Sequence, residues 1–400
     1  TEIMKNKILK KIKEKKFVVG IVGLGYVGLP LAISFSKNKL PVIGFDVDQN
    51  KVNLINEGKS YIKHINTQNI LDLKLGTKNL FTSNFEHMAD CDALLMCVPT
   101  PLNKYREPDM SFVKETTSQI SKYLKKGQLV VLESTTYPGT TQEMIIPILE
   151  KNSGLSSETD FYVAYSPERE DPGNKNFNTT TIPKVLGADG NDALEIATKM
   201  YECAIEKIIT VSNTRTAEAV KLTENIFRSV NIALVNELKV IYDLMDIDVH
   251  EVLDAADSKP FGFMKFIPGP GLGGHCIPID PFYLTWKAKE FEKNTRFIEL
   301  SGEINNSMPL YVLNKCFNAL NKKNKSIKSS KILVIGLAYK PDIDDMRESP
   351  TFKVFDLLMK NHATFDYYDP YIPRIGKTRE HMNYFGMKSI EFSKRIISSY

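Results

Sequence analysis

The sequence predicts an α/β protein in which two doubly wound domains are joined by a long central helix. The first observation is an alternation of short apolar runs with helix-like stretches over about the first 210 residues. The second is an uninterrupted helical pattern from Thr214 to about Leu244, and the third is an α/β pattern that resumes at Lys331. Alternating strands and helices are typical of a parallel sheet covered by helices on both faces.

The composition is that of an ordinary globular protein of 400 residues, with 42% apolar and 25% charged residues. The 22 Gly and 20 Pro are too few for a collagen-like or low-complexity chain. The net charge of +4 gives no indication of a nucleic-acid partner and is compatible with a small anionic substrate. The five Cys and six His show no metal-binding or redox spacing, so we expect no metal site and a reduced, cytoplasmic protein.

Six apolar runs in the first half of the chain are predicted to be strands. They are nearly continuous rather than alternating, as in strands that are buried on both faces of a parallel sheet. The runs are Phe17–Val22, Pro41–Val47, Asn79–Ser83, Asp92–Val98, Gln128–Glu133 and Phe161–Tyr165. Before them we expect a lysine-rich amphipathic helix over Lys5–Lys16, with Ile8, Leu9 and Ile12 facing inward.

The uncharged segment Phe17–Phe35 has the length of a membrane span, but its glycines fit a different structure. Gly23, Gly25 and Gly28 form the pattern G-x-G-x-x-G between a predicted strand and a predicted helix. The first glycine permits a tight turn, the second lets the backbone approach a pyrophosphate, and the third lets the helix pack on the strand. We therefore predict a Rossmann-like dinucleotide-binding turn and no membrane segment.

A carboxylate supports this interpretation of the glycines. Asp46 ends the second predicted strand, 18 residues after Gly28. A carboxylate at that point accepts hydrogen bonds from the adenosine ribose hydroxyls and repels a 2′-phosphate, which favours NAD over NADP. The alternative is a glycine turn used only for packing, and that would not require the acid.

The middle of the chain is predicted to be one long helix. Residues 214–244 contain neither Pro nor Gly, and their apolar positions fall near helical spacing. At 1.5 Å per residue such a helix is about 45 Å long, which suits a bridge between domains or a dimer contact. A polar linker is predicted at Asn321–Ser330, and new strands are predicted at 331–336 and 366–368. The chain is therefore predicted to divide into residues 1–212, 213–320 and 321–400.

A glycine- and proline-rich loop contains the candidate nucleophile. Residues 268–281 read PGPGLGGHCIPIDP and place Cys276 where glycines admit a ligand close to the backbone. Most cysteines are small core residues, but a cysteine in such a loop is not placed for packing. Asp280 could act as a base or hold a water, and His275 could tune the thiolate or make a structural contact.

Three polar residues share one face of the predicted long helix. Glu218, Lys221 and Asn225 are spaced by three and four residues, so their side chains project in the same direction. Alone, such a stripe is typical of a solvated face. Near a nucleophile and an oxidised substrate, the ammonium and the amide could instead stabilise a developing oxyanion.

These features, in this order, resemble the nucleotide-sugar 6-dehydrogenase family, which includes UDP-glucose and GDP-mannose dehydrogenases. The resemblance covers nearly the whole chain. The motifs that carry it are GLGYVGLP at 23–30, VPTP at 98–101, ESTTYPGTT at 133–141, YSPER at 165–169, AVKLTENIFRSVNIALVNE at 219–237, GPGLGGHCIPIDP at 269–281 and GLAYKPDIDDMRESP at 336–350. By resemblance, residues 1–212 form the NAD-binding domain, 213–320 the central helical and dimerisation region, and 321–400 a Rossmann-like UDP-sugar-binding domain.

Within the family, YSPEREDPGN at 165–174 and GHCIPIDP at 274–281 look most like the UDP-N-acetylglucosamine 6-dehydrogenase branch, which feeds surface-polysaccharide synthesis. The UDP-glucose branch usually has Lys where this chain has Ile279 and a second Glu where it has Pro172. Both departures disfavour UDP-glucose and leave the base that hydrolyses the intermediate open. UDP-N-acetylmannosamine, UDP-N-acetylgalactosamine and UDP-glucose stay as alternative substrates.

The resemblance implies a four-electron oxidation of a sugar C6 hydroxymethyl group to a carboxylate, with two hydride transfers to NAD. Cys276 would capture the aldehyde as a thiohemiacetal, and oxidation of that adduct would give a thioester that water releases. Lys221 and Asn225 would stabilise the oxyanions, and Asp280 would manage a water or a proton.

The resemblance also implies further site residues. Glu168 would be the candidate base for thioester hydrolysis, and Thr135 would hold a water or the cofactor. The cofactor site would contain Gly23, Gly25, Tyr26, Val27, Gly28, Asp46, Lys51, Pro99, Thr100, Ser134, Thr135 and Arg347. The substrate site would contain Glu168, Arg169, Lys221, Asn225, Phe266, Gly269, Gly271, Gly273, Tyr283 and Lys340.

Members of the family associate through the long central helix, so the resemblance implies a homodimer or a higher homo-oligomer. The family's loop arginine from a partner subunit has no counterpart here, and Lys259 or Lys265 is the candidate substitute. The family normally has a longer C-terminal domain, so we expect this chain to be truncated. Two other functions stay open: a two-electron NAD dehydrogenase, which would not need Cys276, and a non-catalytic module that binds NAD or a UDP-sugar.

Overall fold

The computed structural model describes residues 2–76, 78–171, 174, 176–274 and 276–400. They form two compact units, Thr1–Thr223 and Glu224–Tyr400. The boundary falls inside the long helix, which runs from Thr214 to Leu244 as the sequence predicts. Each unit has its own hydrophobic core.

The first unit is built on an eight-stranded sheet that confirms the six predicted strands. The strands are β1 (Val19–Val22), β2 (Val42–Phe45), β3 (Leu80–Thr82), β4 (Ala93–Met96), β5 (Leu129–Leu132), β6 (Tyr162–Tyr165), β7 (Lys184–Ala188) and β8 (Ile208–Val211). Their order is β3-β2-β1-β4-β5-β6-β7-β8, and all pairs are parallel except β6 with β7. The sequence did not predict β7 and β8, because β7 begins with a charged residue and contains a glycine, and β8 is partly exposed at the sheet edge.

The helices of the first unit complete a doubly wound fold. They are α1 (Glu2–Lys13), α2 (Gly28–Lys37), α3 (Gln49–Asn56), α4 (Thr67–Leu75), α5 (Ser111–Tyr123), α6 (Ile146–Ser153), α7 (Asn191–Glu202) and the first part of α8 (Thr214–Leu244). A π-helical turn at Thr141–Ile145 leads into α6. In α1, Ile8 and Ile12 are buried as predicted, and Lys5 pairs with Asp192 of α7 at 3.0 Å.

The segment with the length of a membrane span folds as a strand, a turn and a helix. Phe17–Phe35 contains β1, the glycine turn and most of α2, and its strand residues are buried in the core of the first unit. Within the described ranges, no helix has both the length and the apolar character that crossing a bilayer requires.

The second unit is mainly helical and ends in a small parallel sheet. Its elements are the rest of α8, α9 (Val249–Asp257), α10 (Cys276–Ala288), α11 (Arg296–Asn321), β9 (Lys331–Ile335), α12 (Pro350–Lys360), β10 (Thr364–Tyr368) and α13 (Lys394–Ile397). The predicted linker begins where α11 ends, and β9 and β10 pair in parallel. Phe352, Phe355 and Tyr367 form the centre of the C-terminal core.

Candidate active site

The candidate cofactor site lies at the carboxyl edge of the first sheet. Gly23 follows β1, Asp46 follows β2, the exposed Pro99 follows β4, and Ser134 follows β5. Because these strands are parallel, their carboxyl ends meet at one edge of the sheet. In doubly wound sheets, ligands bind at this edge where the strand order reverses, which here is between β1 and β4.

The glycine turn has the geometry that the sequence predicts. Gly23 adopts a φ of +97°, and a Cβ on it would lie 2.6 Å from the carbonyl oxygen of Cys97. A Cβ on Gly28 would lie 1.7 Å from the Gly23 carbonyl oxygen, so α2 packs too closely on the turn for any side chain. Apart from Gly25 and its two neighbours in the chain, no heavy atom of the described residues lies within 4 Å of the Cβ position of Gly25. That open approach is what a pyrophosphate requires.

Asp46 connects the second strand to the glycine turn. Its Oδ2 accepts a hydrogen bond from the Leu24 N–H at 2.8 Å, and its Oδ1 accepts one from the Asp48 N–H at 2.9 Å. The Lys51 Nζ lies 4.0 Å from Oδ2. The carboxylate is therefore fixed at the end of β2, where it is suited to the ribose hydroxyls of a dinucleotide.

The loops after β4 and β5 are tied to each other by hydroxyl groups. The Thr100 hydroxyl donates to the Thr135 carbonyl oxygen at 2.8 Å, and the Ser134 hydroxyl donates to the Val98 carbonyl oxygen at 2.6 Å. The Tyr165 hydroxyl, at the end of β6, donates to the Ser134 carbonyl oxygen at 3.1 Å. These bonds hold the VPTP and ESTTYPG motifs together at the sheet edge.

The two residues inside the glycine turn are partly buried. The ring of Tyr26 stacks on His64 with 6.0 Å between ring centroids. Val27 lines a small cavity of the first unit. Arg169 lines the same cavity, and its Nη1 donates to the Pro183 carbonyl oxygen at 2.7 Å.

Glu168 borders that cavity and lies among charged groups of the first unit. Burial raises the pKa of Glu168 to about 7, and the Lys221 ammonium counteracts this effect. The carboxylates of Glu170 and Glu133 also raise the pKa, whereas Lys184 lowers it. These opposing effects leave the pKa of Glu168 near neutral pH, where a carboxylate is well matched to proton abstraction.

The polar stripe of α8 begins with a buried carboxylate. Glu218 Oε2 accepts hydrogen bonds from the Gly139 and Thr140 N–H groups at 2.7 and 3.1 Å. Its Oε1 accepts one from the Thr141 N–H at 3.2 Å. Glu218 has no exposed surface, and Lys221 is 5% exposed. The alternative of a solvated helix face is therefore wrong.

The cysteine loop belongs to the second unit. Cys276 is the first residue of α10, and the partial positive charge of a helix N-terminus stabilises a thiolate. Asp280, one turn further on, is fully buried, and its Oδ2 accepts a hydrogen bond from Asn225 Nδ2 at 2.7 Å. Asn225 is 9% exposed. The structure thus joins two predicted catalytic residues directly and places the third on the same helix as Asp280.

Two glycines shortly before Cys276 pack closely against the C-terminal part of the same unit. A Cβ on Gly273 would lie 2.4 Å from the Tyr339 Cβ, and one on Gly274 would lie 2.9 Å from the Tyr339 ring. The Gly274 N–H donates to the Arg347 carbonyl oxygen at 2.9 Å. The GLAYKPDIDDMRESP segment therefore contacts the glycines that directly precede α10 and Cys276. Sequence reasoning missed Tyr339, whose uncharged ring gives no signal before its contact is known.

The start of the cysteine loop is anchored on the long helix. The Gly269 N–H donates to the buried Asn236 Oδ1 at 3.0 Å, and Asn236 Nδ2 donates to Asn305 Oδ1 at 2.9 Å. Gly271 adopts a φ of +134°, and a Cβ on it would lie 2.9 Å from the Pro350 Cβ. Asn236 was not predicted as a site residue, because the sequence of a helix does not distinguish a buried amide from an exposed one.

Other predicted substrate residues have differing environments within the second unit. Tyr283 on α10 is fully buried, whereas Phe266 and Lys340 are partly buried. His275 and Pro172, which entered the sequence argument, lie outside the described residues.

Three cations of the second unit have partners within it. Arg347 pairs with both oxygens of Asp345, with 2.6 Å from Nη2 to Oδ2. Lys259 lies 5.0 Å from the ring centroid of Phe261. Lys265 forms an ion pair with an aspartate of α9.

Three models of one family match the chain in order. They are the NAD-binding domain at residues 17–205, the central domain at 215–307 and the UDP-binding domain at 333–398. The chain belongs to the UDP-glucose/GDP-mannose dehydrogenase family. It is an NAD-dependent UDP-sugar dehydrogenase, and NAD is its cofactor.

Several relatives of this dehydrogenase are similar over most of its length. A UDP-N-acetyl-D-glucosamine 6-dehydrogenase of Pseudomonas aeruginosa is 36% identical over 90% of this chain and 84% of its own. A UDP-N-acetyl-D-mannosamine dehydrogenase of Campylobacter jejuni is 36% identical over 86% of this chain and 84% of its own. The solved structure of a UDP-D-ManNAc dehydrogenase from Pyrococcus horikoshii has a TM-score of 0.84 and 32% identity, covering 92% of this chain and 86% of that one.

The first unit of the dehydrogenase fits NAD on its own geometry. The open approach at Gly25 and the close packing at Gly28 fit a pyrophosphate, and the position of Asp46 at the end of β2 fits an adenosine ribose. Two charged residues near Glu168, Glu133 and Lys184, were not predicted as site residues. Each ends or begins a strand pattern, so the sequence alone gives no sign that they meet.

Proposed function

We propose that this dehydrogenase oxidises the C6 hydroxymethyl group of a UDP-N-acetylhexosamine, first of all UDP-N-acetylglucosamine, to the uronate for surface-polysaccharide biosynthesis. NAD, when bound, accepts a hydride in each of the two oxidation steps. The observation that carries the proposal is Cys276 at the start of α10, one turn before the Asn225–Asp280 hydrogen bond. A nucleophile there favours four-electron chemistry, because a two-electron oxidation needs none.

Cys276 supplies the covalent step. Its thiolate adds to the C6 aldehyde, so that a C–S bond forms and the carbonyl oxygen becomes an oxyanion that takes a proton. Loss of that hydroxyl proton, together with departure of the second hydride from C6, then leaves a thioester. Asn225 donates one amide N–H to Asp280, and its other N–H is proposed to stabilise the oxyanion. Lys221, one turn earlier on α8, is proposed to add a positive charge to that task.

Glu168 is proposed as the base for thioester hydrolysis. Because burial holds the pKa of Glu168 at about 7, a large fraction is ionised at neutral pH. The carboxylate takes a proton from water as the new C–O bond forms at C6, and the C–S bond then breaks to release the Cys276 thiolate. Thr135 is proposed to position that water or the cofactor.

The sugar configuration is the most specific part of the proposal. One relative at 36% identity is named for UDP-N-acetylglucosamine and another, at the same identity, for UDP-N-acetylmannosamine. Ile279, where UDP-glucose enzymes usually have Lys, supports an N-acetylhexosamine. The YSPEREDPGN and GHCIPIDP motifs support the gluco sugar as the first candidate, with the manno sugar as the second.

The test is the number of NADH molecules formed per molecule of limiting sugar nucleotide. UDP-N-acetylglucosamine is compared with UDP-N-acetylmannosamine, UDP-N-acetylgalactosamine and UDP-glucose. Two NADH on the first substrate support the proposal, and two NADH only on another correct the sugar. One NADH indicates a two-electron dehydrogenase, and binding without turnover indicates a non-catalytic module. Cys276→Ser should stop uronate formation, Cys203→Ser should not, and full activity of the first variant would overturn the mechanism.

We propose that the dehydrogenase is a homodimer or a higher homo-oligomer that associates through α8. Four apolar side chains on the second-unit part of α8 support this, since they are exposed at spacings that keep them near one face. Their exposed fractions are 50% for Phe227, 51% for Leu234, 40% for Ile241 and 85% for Leu244. Leu234→Glu should shift the protein to a smaller species in sedimentation equilibrium. An unchanged mass for that variant would contradict association through this face.

A further inference from the structure

A buried ion pair of the first unit lies beside Glu168. The Lys184 Nζ is 2.8 Å from Glu133 Oε2, and the Tyr201 hydroxyl donates to the other oxygen of the same carboxylate. Glu133 has no exposed surface, and the Lys184 side chain is 9% exposed. The ammonium also lies 5.1 Å from the centroid of the Tyr201 ring. Both charges of the pair therefore interact with partners inside the protein.

Stability alone does not account for this pair. The desolvation of two charges generally offsets their attraction, so an apolar pair of similar volume is often equally stable. Glu133 directly follows β5, and Lys184 begins β7, which runs antiparallel to its neighbour β6. Both residues therefore lie at the sheet edge where the carboxyl ends of the parallel strands carry the site. Their position points to a role in the chemistry.

Hydrogen bonds connect Lys184 and its neighbour to the turn that carries Glu168. The Lys184 Nζ donates a long hydrogen bond, of 3.5 Å, to the carbonyl oxygen of Pro167. Arg169 Nη1 donates to the Pro183 carbonyl oxygen at 2.7 Å. The residues before and after Glu168 are thus both attached to the start of β7. Movement of Lys184 would move the turn.

A cavity of about 30 Å³ separates the base from the ion pair. Glu168, Glu133 and Lys184 all contribute to its lining. This volume is room for one or two water molecules, and the two carboxylates and the ammonium supply the polar partners that a buried water needs. A water molecule in this cavity can contact both Lys184 and Glu168, so the position and charge of Lys184 can affect Glu168 through it.

We propose that Lys184, held in place by Glu133 and Tyr201, is a positioning residue for Glu168. Through the Pro167 carbonyl it fixes the turn that presents Glu168, and its positive charge favours the ionised carboxylate that takes a proton from water. This inference rests on the proposed role of Glu168 in thioester hydrolysis. Lys184 itself forms no bond to the reacting atoms.

The charges around Glu168 determine the sign of the effect on pH dependence. The groups of the first unit that act on it or lie near it are Lys221, Glu170, Lys184, Glu133, Cys97 and Arg169. Without the Lys184 charge, the Glu133 charge is no longer compensated, and both changes raise the pKa of Glu168. Since hydrolysis needs the ionised form, the acidic limb of the kcat–pH profile moves up by about one pH unit. Neutralising Glu133 as well should reverse most of that shift.

The experiment compares Lys184→Met with Lys184→Arg, which keeps the charge. In Lys184→Met we expect kcat to fall at least about tenfold while the KM values for NAD and the UDP-sugar stay unchanged. The thioester on Cys276 should accumulate, visible as a mass increase of the intact protein after quenching. Lys184→Arg should restore most of the hydrolysis rate. Far-UV circular dichroism and NAD titration verify that each variant is folded.

A double variant, Lys184→Met with Glu133→Gln, carries no unpaired buried charge and keeps the test valid if the single variant does not fold. It should hydrolyse the thioester slowly with a nearly wild-type acidic limb. Wild-type hydrolysis without accumulated thioester in either folded variant overturns the inference. Glu168→Gln separates the two proposals: if it accumulates thioester and Lys184→Met does not, only the role of Lys184 fails. If Glu168→Gln accumulates none, the proposed base is wrong.

Discussion

Removal of the Glu218 carboxylate tests how the long helix is attached to the first unit. Three consecutive backbone N–H groups, of Gly139, Thr140 and Thr141, donate to this fully buried side chain. They stand where the helical stretch that leads into α6 begins, and the first donors of a helix have no partners within it. In Glu218→Ala all three donors lose their acceptor at a place that water does not reach.

Two opposing contributions set the magnitude of this change. A buried N–H without an acceptor costs about 1–3 kcal/mol, so three of them cost about 5 kcal/mol together. Against this, burial raises the pKa of Glu218 to about 7 from 4.5, although hydrogen bonds from Thr141, Gly139 and Thr140 lower it. A carboxyl whose pKa is higher in the folded state binds its proton more tightly there. Wild-type stability therefore decreases as the pH rises from about 4.5 to about 7, by about 3 kcal/mol in all.

We expect Glu218→Ala to cost about 4 kcal/mol of unfolding free energy at pH 5.5 and about 2 kcal/mol at pH 8. Urea unfolding followed by far-UV circular dichroism at both pH values measures this. Hydrogen exchange of a peptide containing residues 139–141 should accelerate in the variant. The single Trp, Trp286, lies in the second unit, so its fluorescence reports that unit separately. Glu237→Ala, at an exposed position on the same helix, is the matched control.

Two results would refute this reasoning. A cost below about 1 kcal/mol at both pH values, with unchanged exchange of the peptide, would mean that the three donors find other acceptors. A cost that is the same at pH 5.5 and pH 8 would mean that the N–H donors outweigh burial and that Glu218 is ionised throughout the range.

The remaining predictions concern the cofactor turn, the cysteine loop and a partly buried carboxyl. In Gly28→Ala, the new methyl would lie 1.7 Å from the Gly23 carbonyl oxygen, so NAD titration should detect no binding; wild-type affinity in a folded variant would contradict the turn geometry. In Gly273→Ala, the methyl would lie 2.4 Å from the Tyr339 Cβ, so kcat should fall about 100-fold with NAD affinity retained. Equal losses of NAD affinity and kcat would instead indicate general misfolding. Burial raises the pKa of Glu158 to about 7, so wild-type stability decreases from about pH 4.5 to 7. Above pH 7, Glu158→Gln should be more stable than wild type by about 1 kcal/mol after solvent screening, and near pH 4 the two should be equally stable. If the variant is instead less stable above pH 7, the carboxylate stabilises the folded protein.

Local patterns account for most of what the sequence predicts correctly. Continuous apolar runs identify six strands, and 31 residues without Pro or Gly identify α8 to the residue. The spacing of Gly23, Gly25 and Gly28 predicts the phosphate-binding turn, because each glycine is required by a contact within the same strand–turn–helix unit. The loop rich in Gly and Pro singles out Cys276 as a candidate nucleophile, which stays a prediction, and the structure begins α10 at that residue.

The polar residues of the site are harder to predict from the same patterns. Glu218 looks like part of a solvated stripe until its partners, 77 to 79 residues earlier in the chain, are known. Glu133 and Lys184 stand at a strand end and a strand start, 51 residues apart, and neither has a local signal of burial. The strand β7, which begins with the charged Lys184 and contains a glycine, has an equally weak local signal. These charged side chains are shielded from water only after distant segments of the chain have packed against one another.

The sequence by itself determined the fold class, the glycine turn of the NAD-binding domain and the long helix. Each depends on contacts between residues close in the chain, which periodicity and turn chemistry encode. Only the tertiary structure decided which carboxylates are buried, which of them faces a cation, and that Asn225 is bonded to Asp280 across 55 residues. The reason is that the pKa and the orientation of a polar group depend on desolvation and on partners brought together by folding, and one-dimensional spacing does not contain that information.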